Sequence, residues 1–222
     1  MLPHHGLVAD ALARVGIHID ARSVSAAHYR AVRRLDRDPE WRGAPEAYLQ
    51  ALCSALAVSH ERLPVAVRAL THLADRDRSG EILWSQPIPH ALRTIAALER
   101  AGIRVLVVTN SDGHAAENLR DACVCQTGTG AGVTVTDVID SAVVGSAKPD
   151  AGIFRAALRR ADAKPTSVVH VGDMLCTDID GARRAGIRPI HLDPDRSCRS
   201  TDHRHIRSLN GIWRHVAPRD EI

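Results

Sequence analysis

The sequence predicts an α/β fold in which a parallel sheet with helices on both faces follows an N-terminal helical block. Three observations carry this expectation. Up to about residue 81 the apolar positions recur only at helical spacing. From residue 82 onward, short β-branched runs alternate with helical segments, the order of a parallel sheet. Polar residues able to hold phosphate or a cation recur just after those runs, where parallel sheets line their ligand crevices. The expected domains are therefore 1–81, helical, and 82–222, the α/β core.

In the helical block, "GLVADALARVG" places Leu7, Ala11 or Leu12, and Val15 on one face. "SVSAAHYRAVRRLDRD" opens on a serine cap candidate and stops before Pro39. "APEAYLQALCSALAV" and "SHERLPVAVRALTHLAD" follow as further helices. The break between blocks falls near "DRDRSGEILWSQPIP".

The core begins with "PHALRTIAALERAG", a helix ending at glycine. "IRVLVVTN" is a continuous apolar run, expected as a strand buried on both faces. "GHAAENLRDAC" is helical, "CQTGTGAGV" a flexible connector, "VTVTDVID" a strand and "DAGIFRAALRRAD" a helix. "SVVHVGD" is a strand, "DIDGARRAG" a helix, "IRPIHLD" a strand, and "HRHIRSLNGIWRHVAP" a short closing helix.

Composition narrows the function classes. Of 222 residues, 45% are hydrophobic and 25% charged, as in ordinary globular domains. No apolar stretch approaches the roughly 20 residues of a membrane span, and the N-terminus lacks the pattern of a signal peptide. A net charge of +3 with 3% aromatics gives little to grip or stack nucleic acid. Five cysteines make no disulfide framework, so reduced thiols in a cytoplasmic setting are expected. Oligomeric state is not legible.

Chemistry concentrates at three strand ends. "VVTNS" places Thr109 and Asn110 after a strand. "SAKPDAGIF" places Lys148 before a proline and a helix start. "VGDMLCTD" places Asp173 and Asp178 after another strand. A hydroxyl and nearby N–H groups can donate to phosphate oxygens, and Lys148 can neutralise a phosphoryl group as a point charge. Two carboxylates suit Mg²⁺, which prefers a few carboxylates, waters and substrate oxygens.

In these motifs the sequence resembles the haloacid dehalogenase superfamily, made up mostly of phosphatases. "VVTNS" looks like its second motif, "KPDAGIF" its third and "VGDMLCTDIDGARRAG" its fourth. The resemblance implies a Rossmann-like core with an N-terminal helical cap. It implies Thr109, Asn110 and Lys148 as phosphate-binding residues, with Thr109 and Lys148 acting in catalysis, and Asp173 and Asp178 as the Mg²⁺ site. The substrate implied is a small phosphorylated metabolite, with neither nucleic acid nor membrane as partner. Which metabolite is set by cap residues and is not readable.

The resemblance fails at the family's first motif, a central strand followed by Asp-x-Asp whose first aspartate is the nucleophile. The chain opens at Met1-Leu2-Pro3, already at cap-like sequence, so that strand is expected to be missing and Met1 to lie a few residues past it. Four stretches offer a substitute, and none fits the motif: Asp75-Arg-Asp77-Arg-Ser79 follows helical spacing, Asp193-Pro-Asp195-Arg-Ser197 comes after the fourth motif, Asp20 follows too short a run, and Asp36-Arg-Asp38 lies between helices. The expectation is a phosphatase without its nucleophile segment. The alternative is a non-catalytic phosphate- or metabolite-binding pseudophosphatase.

Overall fold

The computed structural model describes residues 1–38, 41, 44–75 and 81–216. The chain divides into two compact units, Met1–Ile88 and Pro89–Ile222.

The first unit is built on α1 (His5–Ala13), α2 (Ser23–Leu35), α3 (Pro45–Ala55) and α4 (Leu63–Ala74). His4 caps α1 by accepting from the Leu7 N–H at 3.2 Å. The helix buries Val8, Ala11 and Leu12 rather than Leu7 and Val15, because it ends at Ala13 and Val15 lies in the turn beyond. In α2, Val24, Ala27, Ala31, Val32 and Leu35 form one buried stripe at helical spacing. α2 packs on α3, which buries Leu49 and Leu52, and α4, which buries Leu70, packs on α3 and α1. Each such fully buried side chain contributes roughly 1.5–3 kcal/mol.

Residues 82–88 group with this unit, not with the core as the domain boundary at 81/82 expected. Backbone pairing explains the difference. Leu2 and Gln86 exchange both hydrogen bonds as an antiparallel bridge, and the His4 N–H donates to the Leu83 carbonyl at 2.7 Å. The expected break at 76–80, with Asp77 and Ser79, and the Pro39 helix stop lie outside the described residues.

The second unit is α/β with parallel pairing throughout its named strands. In chain order its elements are α5 (Ala91–Arg100), β1 (Leu106–Thr109), α6 (Ala115–Asp121), β2 (Cys125–Gln126), β3 (Val133–Thr134), β4 (Asp137–Asp140), α7 (Ser141–Val144) and α8 (Ala151–Ala161). Then follow β5 (Val169–Gly172), a π-helical turn at Leu175–Ile179, α9 (Asp180–Arg184), β6 (Arg188–Leu192), β7 (Arg204–Ile206) and α10 (Trp213–Val216). β1 pairs with β4, from Leu106↔Asp137 to Thr109↔Asp140. β5, β6 and β7 form a three-stranded sheet, with Gly172 opposite His191 and His191 opposite His205. β2 and β3 make a small separate pair around the glycine-rich loop, where Gln126 holds both the N–H and the C=O of Gly132 at 2.9 Å.

Three local expectations change. β1 and β5 are half-buried along their whole length, not buried on both faces. Among the described residues each pairs with one neighbouring strand, and they do not pair with each other. "VTVTDVID" splits into β3 and β4, because the Val135 and Thr136 N–H groups turn to the Gln126 and Val105 carbonyls. "HRHIRS" is not helical: β7 adds to the edge of β6 and inserts Ile206 into the core.

What joins the β1–β4 and β5–β7 pieces is apolar packing. Ile153, Phe154 and Leu158 of α8, with Ile139, Ala182 and Ile187, form one buried cluster, and Leu106, Val108 and Val168 pack against it. Gly181 allows the closest approach. A Cβ there would lie 2.6 Å from the Phe154 ring.

Candidate active site

The expected site residues lie at the C-terminal ends of β1 and β5 and in the loop before α8. The strongest interaction joins Lys148 to Asp178. The Lys148 ammonium meets Asp178 Oδ1 at 2.7 Å, with side-chain exposures of 14% and 6%. His170 Nε2, on β5, shares the same oxygen at 3.1 Å, and the Met174 N–H donates to Oδ2 at 3.2 Å. Burial alone would push the Asp178 carboxyl up. The Lys148 ammonium, with the contacts to His170, outweighs that and holds it well below the usual carboxylate range.

Asp178 therefore differs from the exposed acid that opens a helix. It sits inside the π-helical turn, buried, with both oxygens engaged. The turn fits because residue 172 is glycine: a Cβ there would stand 2.2 Å from Asp178 Cγ. No other residue type leaves that space.

Lys148 is held by its backbone as well. Its N–H donates to Asn110 Oδ1 at 2.7 Å, and Asn110 Nδ2 donates to its carbonyl at 3.0 Å. Asn110 thus clamps the lysine loop to the end of β1, so its side-chain amide positions Lys148. Thr109 closes β1, and its hydroxyl donates to the Asn110 carbonyl at 3.4 Å. Asp173 follows Gly172 directly, and its carbonyl accepts from His191 Nε2 at 3.3 Å. Lys148, Asn110 and Asp178 thus form one bonded group. Thr109 adjoins it, and Asp173 leads into the Asp178 turn.

Two further residues shape the loop after β1. Asp140, ending β4, accepts from the N–H groups of Gly113 and Ala115 at 3.1 Å and of Ala142 at 2.9 Å. Ser141 Oγ bridges the N–H and C=O of Ser111, each at 3.0 Å. Asp140 and His170 escaped sequence reasoning. The one signal for Asp140 is a carboxylate ending an apolar strand, and His170 is a lone polar residue within "VVHV".

Of the substitute nucleophiles, Asp193 lies in the same unit as this group and is committed to a turn. Asp193 ends β6 but accepts from the Ser197 N–H, the Ser197 hydroxyl and the Cys198 N–H at 3.0–3.1 Å, which fix a turn. Asp75 follows α4, Asp20 accepts from the Arg22 N–H between α1 and α2, and Asp36 closes α2. The cavities of about 190 and 170 Å³ lie elsewhere. The first is lined by Val105 and Thr136 where β1 and β4 begin, and the second runs along β4 and α8.

Comparisons with known proteins give the family and the fold. A family profile for haloacid dehalogenase-like hydrolases matches residues 5–186. Haloacid dehalogenase-like hydrolase domain-containing protein 3 of Mus musculus is 33% identical over 123 residues, which cover 54% of this chain and 46% of that protein. The ribulose-1,5-bisphosphate 5-phosphatase of Halopiger xanaduensis is 28% identical over 162 residues, covering 66% of this chain and 64% of that protein. The chain spans about half the length of the first curated relatives it matches. The fold is that of the magnesium-bound HAD-hydrolase YfnB of Bacillus subtilis, with a TM-score of 0.64 at 17% identity over 96% of this chain and 91% of that one. The chain belongs to the haloacid dehalogenase-like hydrolases.

Proposed function

We propose that this chain carries the phosphate- and magnesium-binding machinery of a phosphatase acting on a small phosphorylated metabolite. The observation that carries the reading is the buried Lys148–Asp178 pair, set at the ends of parallel strands and held by Asn110 and His170. A buried lysine with a fixed backbone is a pre-positioned cation for a transferring phosphoryl group. The Thr109 hydroxyl, at the end of β1, donates to its oxygens. The hard carboxylate oxygens of Asp173 and Asp178 fit Mg²⁺, which when bound would offset phosphoryl charge. Asp173, fixed by its place directly after β5, is the direct ligand, and Asp178, which holds Lys148 and His170, acts by orienting the group.

The reaction of this class is attack by an aspartate on a phosphate monoester, followed by hydrolysis of the aspartyl phosphate. Among the described residues of the second unit, the aspartate bonded to Lys148 is Asp178, whose oxygens hold Lys148, His170 and the Met174 N–H. That observation favours a second reading, a pseudophosphatase that binds phosphate without turnover. Calorimetry with inorganic phosphate and Mg²⁺, paired with an aryl phosphate assay, separates the two. Turnover lost in Lys148→Ala supports the enzyme. Lysine-dependent phosphate binding without turnover supports the pseudoenzyme. Absence of both binding and turnover sinks both readings.

A further inference from the structure

We propose that His191, Cys198, His203 and His205 form a four-ligand site for a zinc-class metal ion, separate from the magnesium acids. One ligand atom from each of the four lies within 4.8 Å of all the others.

The fold gathers them by register. His191 on β6 is the direct partner of His205 on β7, so the two rings share one face of the sheet. His203 precedes His205 by two residues and returns to the same face. The ring centroids stand 4.4–5.3 Å apart. Cys198 is delivered by the turn that Asp193 fixes, its N–H donating to that carboxylate at 3.0 Å.

The outer contacts set the proton positions. His191 Nε2 faces the Asp173 carbonyl at 3.3 Å, and His205 Nε2 faces the Ser200 carbonyl at 3.0 Å. His203 Nδ1 faces the Asp202 carboxylate at 2.6 Å. A carbonyl or a carboxylate can only accept, so each of these nitrogens carries the proton. The other nitrogen of each ring then presents a lone pair, that of His205 standing 3.7 Å from Asp193 Oδ2, beyond hydrogen-bond reach. This is how metal-ligating histidines are oriented, each giving its second N–H to a carboxylate or backbone carbonyl.

Two of the inner distances match a tetrahedral metal. His203 Nε2 lies 3.3 Å from His191 Nδ1 and 3.7 Å from Cys198 Sγ. Around a tetrahedral Zn²⁺ with N at 2.0–2.1 Å and S at 2.3 Å, neighbouring ligands stand about 3.3 Å (N to N) and 3.6 Å (N to S) apart. Two imidazole lone pairs at 3.3 Å repel unless a cation lies between them. Three nitrogens and one thiolate favour Zn²⁺ over the oxygen-seeking Mg²⁺. Four protein ligands make the site closed, hence structural. It would tie the 193–203 loop to β6 and β7 and, through His191, steady the Asp173 turn.

The test uses the full chain and Co²⁺ as a spectroscopic stand-in. One equivalent should give tetrahedral visible bands and a thiolate-to-cobalt charge-transfer band, and one equivalent of Zn²⁺ should bleach both. Cys198→Ser should remove the charge-transfer band, while Cys123→Ser, at an exposed thiol outside the cluster, should keep it. In the unmutated chain, Zn²⁺ should slow alkylation of Cys198 at least tenfold, read by mass spectrometry, which needs no variant to fold. A folded protein without the charge-transfer band, a band that persists in Cys198→Ser, or Cys198 alkylation indifferent to Zn²⁺ would each overturn the proposal.

Discussion

A Cβ on Gly172 would stand 2.2 Å from Cγ of Asp178, so the glycine that ends β5 is the space into which the buried acid folds. The same carboxylate takes the Lys148 ammonium on one oxygen and the Met174 N–H on the other. Gly172→Ala must push Asp178 off these partners or bend the strand. The expected cost is about 1–3 kcal/mol, as for overpacking elsewhere. Urea denaturation of the variant against the parent checks it, and an unchanged midpoint would contradict the geometry.

The Lys148–Asp178 pair should dominate the acid limb of stability. Because the Asp178 carboxyl is held below its unfolded value of about 3.9, its ionised form contributes stability that is whole above that value. That stability is lost as pH falls through the depressed folded value. Below about pH 5 the parent should therefore lose stability with a steeper slope than Asp178→Asn. At neutral pH, Asp178→Ala should cost about 3–5 kcal/mol, since it leaves a buried ammonium without its carboxylate, whereas Lys148→Met with Asp178→Leu should cost less. Denaturant midpoints from pH 3 to 7 measure both.

Asn110 should act through Lys148. Asn110→Ala removes both bonds to the Lys148 backbone, of 2.7 and 3.0 Å, at an exposed position, so about 1 kcal/mol of stability is at stake. Phosphate affinity should fall further than that small loss explains, because the lysine loop is released. A calorimetric titration with phosphate showing full affinity in the variant would remove Asn110 from the site.

Much of this was readable in the sequence where periodicity and position carry the signal. α2 and α4 follow their apolar stripes, and Thr109, Lys148, Asp173 and Asp178 stand out as polar groups after apolar runs. What escaped depends on pairing across distance. "HRHIR" has a single apolar residue, Ile206, so nothing local marks β7, which forms because β6 offers it an edge. The function of Asn110 lies in a backbone 38 residues away. His191 and His205 become neighbours only through strand register. Residues 82–88 looked like the start of the core, but their hydrogen bonds run back to Leu2 and His4.

Magnesium affinity should depend on Asp173 more than on Asp178. Asp173 follows β5 directly, its backbone carbonyl held by His191, while Asp178 already serves Lys148, His170 and Met174. A cation reaching Asp178 must compete with an ammonium 2.7 Å away. Calorimetric titration should show Mg²⁺ binding reduced at least tenfold in Asp173→Asn and less in Asp178→Asn. Equal losses would make the acids equivalent ligands.

The last expectation concerns the edges of β1 and β5. β6 is paired on both sides, whereas among the described residues β1 pairs only with β4 and β5 only with β6. In a parallel strand alternate amides face opposite neighbours, so roughly half of those in β1 and β5 have no strand acceptor. Their apolar side chains, Val107, Val108, Val169 and Val171, are half-buried rather than enclosed. An open apolar edge is a template for another strand, and two such edges invite one that pairs with both. Hydrogen exchange followed by mass spectrometry should find β6 the slowest segment of the core, with β1 and β5 exchanging at least tenfold faster. Equal protection of all three strands in the present chain would show that the two edges are already closed.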